Sequence, residues 1–195
     1  MCGRYAFFAP PHKLKDLFGT ENILDLPPRY NAAPQQDLPV IVHNRMGLAR
    51  WGFGEIINAR SETAAAKPLF RESWEKRRRC LIPADGFYEW KDRQPYFIHR
   101  ADNECLALAG LWTKTGNTVN FVILTRAADD TIMSVHDRMP VILRPDQAAE
   151  WFAADDAGAH RLIAQASGAG LVFHAVGKDV GSAANDSAAL ISRSG

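Results

Sequence analysis

Residues 79–90 read Arg79-Cys80-Leu81-Ile82-Pro83-Ala84-Asp85-Gly86-Phe87-Tyr88-Glu89-Trp90. Two strand-like runs stand inside this stretch, at 80–83 and 86–90. Three more follow at 95–99, 106–112 and 119–125, with the spacing of an antiparallel meander. In a strand over 86–90, Phe87 and Glu89 point to one face and Gly86, Tyr88 and Trp90 to the other. A carboxyl that shares a face with an aromatic ring is desolvated and its pKa rises, which suits general acid or base work. The alternative is a surface-facing strand carboxylate. Cys80, between Arg79 and Leu81, reads as a small core residue rather than a nucleophile.

Working outward, Cys2–Phe8 is aromatic-rich and strand-like. Pro10-Pro11 opens a short amphipathic helix in which Leu14, Leu17 and Phe18 share a face, and Gly19 ends it. Residues 26–36 hold three prolines and read as an ordered loop. Residues 38–43 and 48–53 predict a hairpin around Asn44-Arg45-Met46-Gly47. After a second long connection at 54–69, a helix is expected over about 70–79. Later elements are helices at about 145–153 and 159–166 and a strand at 171–176. The expected fold is α+β: one domain over 1–195, built on a curved antiparallel sheet or barrel with flanking helices. Its Ser/Ala-rich tail is expected to fray from about 182. Two long loops in a compact domain point to function.

Of 195 residues, 47% are hydrophobic and 23% charged, so the chain buries a real core and is not disordered. The formal net charge of +1 argues against a strongly electrostatic partner, but the average conceals an asymmetry. Residues 1–100 carry 16 Lys/Arg against 11 Asp/Glu, and residues 101–195 carry 7 against 11. A basic half keeps an anionic partner open. Three cysteines, Cys2, Cys80 and Cys105, make no disulfide framework, and no metal-ligand spacing such as CxxC or HExxH occurs. With no signal-like N-terminus and no apolar run of about 18 residues, a cytoplasmic protein with reduced thiols is expected.

Beyond Glu89, five places carry candidate chemistry. Cys2 follows Met1 directly, and removal of Met1 leaves a free α-amine beside a thiol. Their reference pKa values are about 8 and about 8.5, so both are partly nucleophilic near neutral pH. Such a 1,2-aminothiol condenses with an aldehyde, the amine giving an imine and the thiolate closing a thiazolidine ring; a cysteine after Met is otherwise incidental. Asn58-Ala59-Arg60-Ser61-Glu62-Thr63 offers an amide to orient an amine or a sugar oxygen and a guanidinium to clamp phosphate, or is a polar capping loop. Ser134-Val135-His136-Asp137-Arg138-Met139-Pro140 offers a proton carrier and a second phosphate contact. Trp51 is a base-stacking candidate or core. The run Lys76–Arg79 is a phosphate patch or the solvated basic end of a helix.

Taken together, these motifs resemble the SOS response-associated peptidase (SRAP) family of abasic-site processing proteins. The resemblance rests on Met1-Cys2-Gly3-Arg4-Tyr5, Arg29-Tyr30-Asn31-Ala32-Ala33-Pro34, Arg50-Trp51-Gly52, Asn58–Thr63, Arg79–Trp90 and His136–Pro140, in that order over about residues 1–180. It implies a covalent thiazolidine cross-link to abasic sites in single-stranded DNA, made without cofactor or metal by a monomer that is nucleoid-associated when bound. Cys2 is then the nucleophile, Asn58 holds the amine or the sugar, Glu89 assists proton transfer, and His136 helps open the sugar ring. Glu89 is also the implied base for release of Met1. Arg4, Arg60 and Arg138 match phosphate contacts, and Trp51, Asn31 and Thr125 match the DNA-binding surface. The rivals are a thiol peptidase acting in trans and a non-covalent single-strand-binding module. The family's closing motif is altered here, at Val180–Asp186 and Ala189–Ser192.

Overall fold

The computed structural model describes residues 2–194. The chain opens with β1 (Arg4–Phe7) and α1 (Pro11–Phe18). Pro11 occupies the first helical turn, Leu14 and Phe18 are buried, and Gly19 stops the helix at φ 60°. Next come β2 (Arg29–Ala32) and the hairpin β3 (Asp37–Val42) and β4 (Arg45–Trp51). Val42 pairs with Arg45, so the turn is His43-Asn44, two residues rather than the expected four, with His43 at φ 54°. β5 (Asn58–Arg60) and α2 (Pro68–Glu75) precede the meander of β6 (Arg79–Ala84), β7 (Gly86–Lys91), β8 (Gln94–Arg100), β9 (Leu106–Thr115) and β10 (Thr118–Ala127). The rest is α3 (Asp130–Met133), β11 (Arg138–Pro140), β12 (Ile142–Leu143), α4 (Ala148–Ala153), α5 (Asp156–Gln165) and β13 (Leu171–Ala175).

The strands form two sheets. The first is antiparallel, in the order β13-β8-β7-β1-β2. The second runs β11-β10-β4-β3-β6-β9-β12, and β9 pairs back with β10, so the pairings pass round a ring. The ring does not close as a continuous barrel. β3 and β6 share the single register pair Ile41–Leu81, and β4 meets β10 only at Arg50–Asn120 and Trp51–Phe121. The expected α+β class is present, with one departure from an antiparallel sheet: β4 and β5 both run parallel to β10.

Alternation along the first sheet builds two cores. Tyr5, Phe7, Phe87 and Ile98 face the ring and join the large core, whereas Ala6, Tyr88 and Phe97 face the other way and pack with Val176, Val180 and Leu190. Gly86 permits the close approach of β7 to β8: a Cβ there would stand 2.4 Å from the Phe97 ring and 2.7 Å from the Ile98 carbonyl. The second core corrects the expectation of a frayed tail. Leu190 is buried in it, and the Asp186 carboxylate takes up the Arg29 Nε at 2.5 Å and the Tyr30 and Asn31 amides at 2.6 and 3.0 Å. β2 is an edge strand, and these contacts satisfy donors that it would otherwise expose.

The basic run after α2 also divides. Lys76 pairs with Glu72, and the Arg78 guanidinium lies 5.5 Å from the centre of the Trp112 ring. Arg79 is fully enclosed, its guanidinium 5.5 and 5.2 Å from the centres of the Trp74 and Trp151 rings, and it donates to the Ala154 carbonyl at the end of α4. Arg79 is therefore a core strut rather than a phosphate contact.

Candidate active site

Two strand registers assemble the site. Tyr5 lies opposite Phe87 in the antiparallel β1–β7 pair, which carries the residues before Arg4 toward the Glu89 end of β7. On the other sheet, the second half of β10 lies between β5 and β11. Ile123 pairs with Asn58, Thr125 with both Arg60 and Pro140, and Ala127 with Arg138. Asn58, Arg60 and Arg138 are thus set by one strand, and His136 sits just before β11.

Cys2 is completely buried, and the Asn58 Nδ2 donates to its backbone carbonyl at 2.8 Å. Burial pushes the Cys2 thiol above the ordinary range, and the negative charge of Glu89 pushes it the same way. Glu89 is only 2% exposed, and its carboxyl is raised by burial and drawn back by His136. The His136 Nε2 lies 3.9 Å from the Glu89 Oε2. The Nδ1 of the same ring accepts the Arg138 backbone N–H at 2.9 Å and also lies 3.0 Å from the Asp137 carboxylate. Both contacts cannot hold at once, since the first needs a bare nitrogen and the second a protonated one. The backbone donor is fixed, whereas Asp137 is 79% exposed and free to swing. We therefore place the proton of the neutral ring on Nε2, toward Glu89.

These four residues come together as a buried thiol, an amide that fixes its residue, a buried carboxyl and a proton-carrying imidazole. The Phe87/Glu89 face has the desolvated character expected from the alternation. Among the described residues the buried Asn58 Oδ1 has no hydrogen-bond partner, an acceptor next to the residue that the same side chain holds.

The basic positions differ among themselves. Arg60 is exposed and lines a hollow of about 350 Å³ with Asn58, Ile56, Lys67 and Leu69. Arg138 is seated on the Thr125 carbonyl at 2.8 Å and on its Oγ1 at 3.3 Å, and it meets Glu62. Arg4 is tied to the Asn31 Oδ1 at 3.0 Å and to the Val180 and Gly181 carbonyls at 2.9 and 3.3 Å.

Trp51, Asn31 and Thr125, placed by the resemblance on a DNA-binding surface, are each enclosed at 0% exposure. Trp51 stacks on Phe121 with ring centres 6.1 Å apart and donates to the Ile57 carbonyl, so its role is core packing behind the β4–β5 connection. Asn31 spends its amide on the Val180, Ser182 and Asn185 carbonyls. Thr125 is the seat of Arg138. All three thus lie beneath the surface rather than on it. Glu62, which meets Arg138, is a site-related residue to which the sequence assigns no role. Glu62 stood inside a quoted motif, but only the third dimension reveals its partner.

All three cysteines are free. Among the described residues no group of three or more His, Cys, Asp or Glu side chains is placed to hold a metal ion, and no helix is long and apolar enough to cross a membrane. The expected removal of Met1 concerns a residue outside those described.

The family profile described as "SOS response associated peptidase (SRAP)" matches residues 1–183. The abasic site processing protein YoqW of Bacillus subtilis (strain 168) is 35% identical over 77% of this chain and 80% of its own length. The abasic site processing protein YedK of Escherichia coli (strain K12) is 31% identical over 98% of this chain and 99% of its own. A crystal structure of a protein from Bacteroides thetaiotaomicron superposes with a TM-score of 0.83 over 99% of this chain and 100% of that one, at 20% identity, a likeness of fold alone. The profile match over nearly the whole chain, with two relatives above 30% identity, makes this chain a member of the SRAP family.

Proposed function

We propose that this protein processes abasic sites in single-stranded DNA by cross-linking to them through Cys2. The observation that carries the reading is the convergence of Asn58, Glu89 and His136 on Cys2, above all the 2.8 Å hydrogen bond from Asn58 to the Cys2 carbonyl. The names of the relatives point to the same substrate.

Hydrolysis of the Met1–Cys2 bond, with Glu89 as base, frees the α-amine. The abasic sugar opens to its aldehyde: the C1′ hydroxyl gives its proton to water, and His136 protonates the ring oxygen as it leaves. The amine adds to C1′ to give a carbinolamine, and protonation of its hydroxyl releases water and leaves the protonated imine, whose nitrogen keeps that hydrogen in the closed ring. The Cys2 thiol then passes its proton to the Glu89 carboxylate, and the sulfur attacks C1′ to close the thiazolidine. In balance, aldehyde and aminothiol give thiazolidine and one water. The raised thiol makes a base at this last step necessary, and a carboxyl raised by burial suits the transfer in both directions. The net charge of +1 is compatible with this partner, because a covalent bond anchors the strand where a large electrostatic footprint otherwise would.

The test is a denaturing gel of protein mixed with an oligonucleotide carrying one abasic site. Wild type gives a slow-migrating adduct that survives denaturation, and Cys2→Ala gives none. Equal adduct from Cys2→Ala would overturn the proposal. Turnover of peptides with indifference to abasic DNA would favour the thiol-peptidase reading, and salt-sensitive binding without adduct would favour the non-covalent one.

A further inference from the structure

Arg138 is the most constrained guanidinium near the site. Its Nη1 and Nη2 meet the Glu62 Oε1 and Oε2 at 2.6 and 2.9 Å, a two-pronged pair, while Nη2 also rests on Thr125. The Arg138 side chain is 12% exposed and that of Glu62 is 50% exposed, so the acid closes the solvent side of the pair. The hydrogen bonds from Arg138 hold the Glu62 carboxyl below its ordinary range, and Arg60 adds to the same pull. A carboxylate thus sits in the field of Arg138 and Arg60, two of the three arginines that the family resemblance matches to phosphate contacts. Carboxylate and phosphate oxygens match the guanidinium fork in the same way.

We infer that Glu62 cages Arg138, occupying with its carboxylate the place of a strand phosphate, so that nucleic acid must displace it to bind. Thr125 keeps the guanidinium in place when Glu62 swings out, and the exposed side of Glu62 gives it solvent to swing into. The cage weakens the hold on intact strand, whose only anchor is electrostatic. It thereby favours capture of a strand whose abasic sugar becomes covalently fixed. This inference rests on the reading of Arg138 as a phosphate contact.

The test measures binding of a fluorescein-labelled, undamaged oligothymidylate at low salt by anisotropy, alongside the abasic adduct gel on wild type. Glu62→Gln keeps the shape and removes the charge, and it is expected to bind about three- to fivefold tighter, the size set by a half-exposed ion pair. The gain should vanish in an Arg138→Gln background, because pairwise coupling disappears with the partner. Glu55→Gln, which removes a charge from the hollow that Arg60 lines and has no contact with Arg138, should gain less. The cage is overturned if Glu62→Gln binds no tighter than wild type. It is also overturned if the gain persists in Arg138→Gln, or if Glu55→Gln matches it, since either points to the general field. Wild type that forms adduct while Glu62→Gln gains nothing removes the cage alone; wild type that neither forms adduct nor binds strand removes the proposed function with it.

Discussion

The Asn58 side chain donates to the backbone carbonyl of Cys2 at 2.8 Å, joining β5 of one sheet to the segment that leads into β1 of the other. One amide therefore sets where Cys2 lies relative to Glu89 and His136. Asn58→Ala removes the donor and also the unpartnered buried Oδ1. Its effect on melting temperature should be small, because a lost bond and a lost desolvated acceptor offset each other. Single-turnover adduct formation should slow by about tenfold to a hundredfold, the loss of one well-placed positioning bond. A wild-type rate in Asn58→Ala would show that the contact does not position Cys2.

Glu89 predicts a pH-dependent stability. Burial raises its carboxyl, so the folded protein holds that proton more readily than the unfolded chain does. The penalty is absent below the ordinary glutamate pKa of about 4.3 and complete once the pH exceeds the raised value, so stability falls as pH climbs through that window. Glu89→Gln removes the ionisation. Its melting temperature should exceed that of wild type at neutral pH and converge with it near pH 4. Thermal melts across pH check the sign, and a difference that does not change with pH would refute it. The same variant should lose adduct formation.

Asp85 fixes the exit of β1. A single carboxylate oxygen accepts the Phe8 and Ala9 amides at 2.5 and 2.8 Å, and the Asp85 amide donates to the Ala6 carbonyl at 2.8 Å. Asp85→Ala leaves two amides unpaired in a buried place and should cost about 2–4 kcal/mol. Asp85→Asn keeps an acceptor oxygen and should cost less than half as much. Denaturant unfolding of the two variants decides it; equal losses would mean that the charge, and not the acceptor, matters.

Asp186 joins the tail to β2. Asp186→Ala frees the Tyr30 and Asn31 amides and breaks the 2.5 Å contact with Arg29. A melting temperature lower by about 2–6 °C is expected, together with faster amide exchange at Asn31 and earlier cleavage within 181–189 by added protease. A variant that stops at Gly181 yet melts like the full chain would show that the tail contributes nothing.

Strand alternation and motif order go far in this protein. The period of two placed Phe87 and Glu89 on one face, and the structure buries that face between the sheets. Pro11 and Gly19 delimited α1 because both act within one turn of chain. The aminothiol at Cys2, the amide at Asn58 and the imidazole at His136 were each legible as chemistry, since functional-group reactivity is a property of the residue itself. β2 was missed inside a proline-rich stretch because its pairing partner, β1, is more than twenty residues away and nothing local reports it.

Tertiary structure alone decided which side chains remain available. Trp51 and Asn31 belong to the motifs that carry the family resemblance and Thr125 lies outside them, yet all three are enclosed at 0% exposure. Arg138 and Glu62 lie 76 positions apart and meet because β10 holds β5 on one side and β11 on the other. The tail, Ser/Ala-rich and without a periodic pattern, is ordered by carbonyl groups and one aspartate that meet donors on β1 and β2. Composition and spacing report what a residue can do. Exposure, ion pairing and tail docking are sums over long-range contacts, and those exist only once the two sheets have formed.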